Sequence, residues 1–125
     1  MSRKGDDRMI VGKWKLFDGE QDGQDLSAAD CQQSTLDIVG NEHTVNLGDE
    51  ELKGAHTLNS DQSPMTIDST DTAGPFAGQS LLGIFKVEDD IFTVCFAAPG
   101  ADRPTGFTTK DGKATILHRW KRQVG

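Results

Sequence analysis

Three histidines, His43, His56 and His118, are the residues of this chain best placed to do chemistry. Each falls on the apolar parity of a stretch that reads as a β-strand: His43 with Val45 and Leu47, His56 with Leu58, His118 with Ile116 and Trp120. Alternate side chains of a strand share a face, so all three imidazoles point to the apolar side. A four-residue turn at Gly48-Asp49-Glu50-Glu51 sets His43 opposite His56, with Cβ atoms roughly 5 Å apart. Two imidazoles so close resist being protonated together, and such a pair suits either a metal or the wall of a ligand cavity. Packed or cavity-edge side chains with hydrogen-bonded nitrogens are the plainer reading and the preferred one, and no metal is assigned.

Other reactive groups carry less. Asp6-Asp7, Glu50-Glu51 and Asp89-Asp90 sit where solvated turn residues belong and form no acid–base pair. Asp18-Gly19-Glu20-Gln21-Asp22-Gly23 has acidic residues at alternate positions before a glycine, as a calcium loop does. The twelfth position is Ala29, however, where a bidentate Glu is needed, and calcium is not expected. Cys31 and Cys95 are far apart, lie in no CxxC and read as free thiols. Cys95, flanked by apolar residues, is expected to be buried and inert. GxSxG, P-loop, dinucleotide-binding and HExxH patterns are absent from the sequence, so the chain is not expected to be an enzyme and no catalytic residue or cofactor is assigned.

The elements that position these side chains are short strands. Leu81–Val87 and Ile91–Phe96 form the most apolar stretch, a hairpin turned by Asp89-Asp90. A two-residue turn there sets Val87 opposite Phe92, Phe85 opposite Val94 and Gly83 opposite Phe96, with this face at the centre of the core. The outer face, with Leu82, Ile84 and Cys95, needs a cover, which the N-terminal segment or the Pro99–Gly106 loop supplies. Further strands read at residues 12–17, 35–39, 43–47, 52–58, 65–69 and 114–120. Residues 18–34 form a long first connection, a lid over one end of the sheet, with one helical turn started by Ser27-Ala28-Ala29-Asp30. Eight short strands at steps of about ten residues argue for an all-β antiparallel barrel or sandwich.

Bulk properties agree. A chain of 125 residues is one domain, 1–125, with residues 1–8 as a tail. No apolar run is long enough to span a bilayer, and the apolar Met9-Ile10-Val11 is too short for a signal peptide, which slightly favours the cytoplasm. A net charge of −7 opposes nucleic-acid binding. Arg119, Lys121 and Arg122 read as the solvated end of a strand.

Two sets of residues carry a resemblance. Gly12-Lys13-Trp14 is similar to the Gly-x-Trp signature of lipocalin-like barrels, in which the Trp closes one end and stacks on a basic residue of the last strand, here Arg119 or Arg122. Leu81-Leu82-Gly83-Ile84-Phe85, Cys95-Phe96-Ala97-Ala98-Pro99-Gly100 and Arg103-Pro104-Thr105-Gly106-Phe107, in that order, resemble a family of small lipocalin-like domains numerous in planctomycete bacteria. The resemblance runs from Ile10 to Arg122. It departs from the family at Gly106, where an acidic residue is common, at His43 and His56, where Tyr is common, and at Asp89-Asp90, where Asp-Gly is common.

That resemblance implies an eight-stranded up-and-down lipocalin-like barrel and no settled activity. By analogy it implies a small hydrophobic ligand inside the barrel. The lining expected from strand parity is Trp14, Val45, His56, Leu58, Phe85, Val87, Phe92, Val94 and Trp120. The alternative is a barrel filled by its own side chains that binds another protein through its surface or the Pro99–Gly106 loop. A monomer is expected in either case.

Overall fold

The computed structural model describes residues 10–47, 50–59, 61, 64–73 and 77–123. The expected tail at residues 1–8 lies outside them. Nine strands, β1 (Gly12–Gln21), β2 (Gln24–Asp25), β3 (Ser34–Val39), β4 (Glu42–Leu47), β5 (Glu50–Asn59), β6 (Met65–Ala73), β7 (Ser80–Glu88), β8 (Ile91–Phe96) and β9 (Ile116–Arg122), and one short helix, α1 (Ala28–Gln32), make up the regular structure. The sheet order is β2-β1-β3-β4-β5-β6-β7-β8-β9, and β1 pairs with β9 as well. That last pairing closes every strand but β2 into an eight-stranded antiparallel barrel, which removes the unpaired edges an open sheet would leave.

Alternation fixes which face is inside. In β3, Ser34, Leu36 and Ile38 are buried while Thr35, Asp37 and Val39 are exposed, the period-two pattern of a strand with one dry face. In β1, Trp14 and Leu16 obey the same parity until the register against β9 shifts between Leu16 and Asp18. Phe17, on the outward parity of Lys13 and Lys15, is 46% exposed, and past the bulge the parity changes, so that Asp18 is exposed and Gly19 buried. β1 then continues to Gln21, so Asp18–Gln21, read from sequence as loop, is strand. Asp22 and Gly23 take positive φ of 51° and 86° and turn the chain into β2.

The acidic residues that imitate a calcium loop have other work. Asp18 Oδ2 pairs with Arg119 Nη1 at 2.7 Å. Glu20 Oε1 accepts hydrogen bonds from the Thr109 backbone N–H at 2.8 Å and the Thr109 hydroxyl at 3.0 Å. These bonds, the backbone one first, hold the Glu20 carboxyl below its ordinary pKa.

One end of the barrel is shut by Trp14. Its Nε1–H donates to the Ile10 carbonyl at 2.8 Å, and the Arg122 guanidinium lies over its ring with Cζ 4.2 Å from the centroid. Arg122 also donates to the Val11 carbonyl at 2.8 Å. Of the two arginines considered for this role, Arg122 fills it, because Arg119 points outward to Asp18.

The β7–β8 hairpin has the expected register, with Val87 paired to Phe92, Phe85 to Val94 and Gly83 to Phe96. Asp89 and Asp90 adopt the left-handed φ values, 53° and 64°, that a two-residue turn requires. Its outer face is covered by the β8–β9 connection. Phe107 packs on the buried cluster of Ile84, Cys95, Ala114 and Leu117. Arg103 fastens this cover by donating to the Gly83 carbonyl at 2.9 Å and pairing with Asp68 at 2.8 Å. Cys95 is fully buried beneath it, and burial pushes its thiol pKa up to about 11, as expected of an inert cysteine.

The β4–β5 pairing differs from the expected one. Leu47 pairs with Glu50, Val45 with Leu52 and His43 with Gly54, so only residues 48 and 49 separate the strands where a four-residue turn was expected. Every pairing moves by two residues, and a shift of two preserves the face, so the histidines still point inward.

Candidate functional site

The inward side chains do not fill the barrel. A cavity of about 520 Å³ runs through its middle. Leu36, Ile38, Val45, Ile67, Phe92 and Trp120 are among the apolar residues of its wall. Gln21 at the end of β1, Leu47 and Glu50 at the β4–β5 turn, Pro99 after β8 and Ile116 at the start of β9 line it at the end away from Trp14. The strands run alternately up and down, so these positions share one rim.

Of the lining expected from sequence, Val45, His56, Phe92, Val94 and Trp120 border the cavity. Trp14 and Phe85 lie inside the barrel in its packed core, with Leu58 and Val87 packed against that core, and these four do not border the space. Trp14 and Phe85 both contact the Phe92 ring, at centroid distances of 5.5 and 6.0 Å. The packed core therefore gathers round Trp14 and Phe85, and the cavity extends from the opposite rim as far as Ile10 and Ile38.

Polar side chains converge on the wall formed by β4, β5 and β6. His43 and His56, diagonal neighbours in the observed register, bring their Nδ1 atoms within 3.1 Å, with the rings stacked at 5.3 Å. His43 Nε2 lies 3.0 Å from Asp71 Oδ1 and 3.5 Å from Ser69 Oγ. Asp71 is on β6, one strand beyond β5, and the residue between it and His43 is Gly54. A Cβ at Gly54 would stand 2.9 Å from Asp71 Oδ1, so the missing side chain is what lets the imidazole cross the strand. The register that runs unbroken from the pair of Asn59 with Thr66 sets Asp71 opposite Gly54, and the bulge in β6 follows it, before Ala73 pairs with Lys53.

His56 is 3% exposed, and its Nε2 is buried with no hydrogen-bond partner among the described residues. Burial first, and the neighbouring His43 second, push its pKa down to about 4, so the ring is neutral in neutral solution. His118 stands on β9, four strands from β5 whichever way round the barrel is counted, and therefore faces it across the lumen. Its ring meets Trp120 edge-on at 5.4 Å, and among the described residues no hydrogen bond engages its nitrogens. Loss of surrounding water brings its pKa down to about 4 as well.

Asp71 and Ser69 are the members of this cluster that the sequence reading missed, having placed residues after Ser69 in a loop. The available signal was the parity of Met65, Ile67, Ser69 and Asp71, which continues unbroken into the bulge. Among the described residues no Lys or Arg lines the cavity, whereas Asp22, Glu50 and Asp71 do. These residues therefore offer no permanent cation to an anionic guest.

No family model, no curated protein and no solved structure matches the chain. The closed, eight-stranded antiparallel barrel is compatible with a lipocalin-like fold on its topology alone.

Proposed function

We propose that the chain is a lipocalin-like domain, of the small planctomycete type its motifs resemble, that holds a small, neutral, hydrophobic molecule inside the barrel and does no chemistry on it. The observation that carries this reading is the cavity of about 520 Å³, in the size range of small-molecule sites, with apolar walls and a few convergent polar groups. Its electrostatics favour an uncharged guest. A carboxylate entering would meet Asp22 and Glu50 at the rim and Asp71 inside, with two neutral imidazoles and no cation to offset desolvation. A barrel filled by its own side chains, the alternative function as a protein-interaction module, fits poorly with a space of this volume. Native mass spectrometry of protein purified from its own host tests the proposal. A bound, extractable apolar molecule is the expected result, and a bare chain that also takes up no added hydrophobic probe opposes it.

A further inference from the structure

His56 borders the cavity, and its Nε2, closed to water in the structure, is the buried side-chain nitrogen of the described residues left without a hydrogen-bond partner. The hydrogen-bond chain behind it dictates what it can do. A carboxylate oxygen only accepts, so at the 3.0 Å contact with Asp71 the hydrogen sits on His43 Nε2. With one hydrogen per ring, His43 Nδ1 is then a lone pair. The 3.1 Å contact between the two Nδ1 atoms requires a hydrogen, and His56 Nδ1 must supply it. His56 Nε2 is left as a bare acceptor. An acceptor buried without a partner is less stable than one that is bonded, and a guest with a donor recovers that loss.

We propose that His56 Nε2 is the polar anchor of the cavity, accepting a hydrogen bond from the hydroxyl of an otherwise apolar ligand, an aliphatic or cyclic alcohol or a phenol. Resting on the ligand-binding reading above, this names the class of ligand. Asp71 and His43 also line the cavity, but the anchor needs no bond from them to the guest. They are positioning residues that fix the tautomer of His56, as a carboxylate fixes the imidazole of a catalytic triad. Across the lumen His118, whose ring nitrogens have no partner among the described residues, can meet a second polar group if the ligand has one. The acidic rim, with no lining cation among the described residues, disfavours the fatty-acid anion, which shares the apolar chain but has no hydrogen to give.

The test compares 1-decanol, decyl methyl ether and decanoate as competitors of a fluorescent apolar probe, at about pH 8, above the ordinary histidine range. The alcohol is expected to bind roughly tenfold tighter than the ether, the worth of one hydrogen bond in a dry site, and the decanoate weakest. In His56→Phe the alcohol and the ether become equal. Equal binding in the wild-type protein, or an alcohol preference that survives in His56→Phe, overturns the anchor while leaving the cavity as a ligand site. Tighter binding of the ether, which has no hydrogen to give, likewise overturns the anchor. Failure of the probe and all three competitors to bind removes the ligand-binding reading itself. Long-range nitrogen-15 spectra of the wild-type histidine rings give an independent reading should His56→Phe fail to fold. On adding decanol, a shift of an unprotonated His56 Nε2 signal upholds the proposal, and a protonated or unmoved one overturns it.

Discussion

His43 Nε2 reaches Asp71 Oδ1 at 3.0 Å over the top of Gly54, so one polar contact of the cavity spans three strands through the absence of a single side chain. Gly54→Ala sets a methyl group against the Thr70 carbonyl and 2.9 Å from that same carboxylate oxygen. Overpacking of this kind costs about 1–3 kcal/mol. Urea unfolding of Gly54→Ala is expected to show a loss in that range. The histidine ring resonances should move with it, because His43 can no longer reach Asp71. An unchanged midpoint contradicts the close approach.

The closed end rests on Arg122. Its guanidinium covers the Trp14 ring and donates to the Val11 carbonyl, so Arg122→Ala removes a cation–π contact and a hydrogen bond together. The expected loss is about 1–2 kcal/mol, read as a lower unfolding midpoint. Arg122→Lys should recover only part of it, since an ammonium neither stacks flat on the indole nor offers the same fork of donors. Full recovery by Lys would show that charge alone matters.

Much of this was legible in the sequence. The Asp89-Asp90 turn, the register of its hairpin and the inward parity of all three histidines follow from alternation and turn chemistry, which are local, while the Trp14 plug was implied by the Gly-x-Trp resemblance. What was not legible is non-local. Gly48-Asp49-Glu50-Glu51 holds no apolar side chain, so composition cannot say that Glu50 is already paired with Leu47. Asp18–Gln21 reads as loop because its residues are turn formers, yet pairing with β9 holds it in β1. Asp71 likewise looks like loop until the continued pairing of β6 with β5 places it beside His43. The partly empty interior is also a product of closure, since no single strand reveals how far its side chains reach toward the opposite wall.

Acid sensitivity follows from His56 and His118. Each is held near pKa 4 in the fold, against an ordinary value of 6.5 when the chain unfolds. The unfolded state therefore binds protons first as the pH falls. Their contribution to stability is complete above about pH 6.5, declines through the window from 6.5 to 4 and is gone below it. The decline amounts to about 3 kcal/mol for the buried His56. His43 and Asp71 face His56, so the His118→Gln variant gives the cleaner measurement. Its stability should fall less steeply between pH 6.5 and 4 than that of the wild-type protein. Parallel curves would show that His118 keeps its ordinary pKa. The Glu20 carboxyl, held below its usual value, contributes stability that is lost at lower pH still.

Glu20 also ties the β8–β9 connection to β1 through Thr108 and Thr109, and that connection covers Cys95. Glu20→Ala removes hydrogen bonds to a charged acceptor, each worth about 1.5–3 kcal/mol, and should let the cover open more often. Alkylation of Cys95, followed by peptide mass spectrometry, is expected to quicken roughly tenfold or more in Glu20→Ala. An unaltered rate would mean that Arg103 and Phe107 hold the cover without Glu20.

The account turns on whether the space inside the barrel takes a guest, and tryptophan fluorescence reads this directly. The chain has two tryptophans and no tyrosine; Trp120 borders the cavity, and Trp14 lies in the packed end. Titration with 1-decanol should change the emission saturably, and the change should vanish in Trp120→Phe. Val45→Phe, which puts a larger side chain into the cavity, should weaken binding roughly tenfold or more without unfolding the barrel. A change that does not saturate, or that is the same in folded Val45→Phe as in the wild-type protein, would contradict binding inside the barrel.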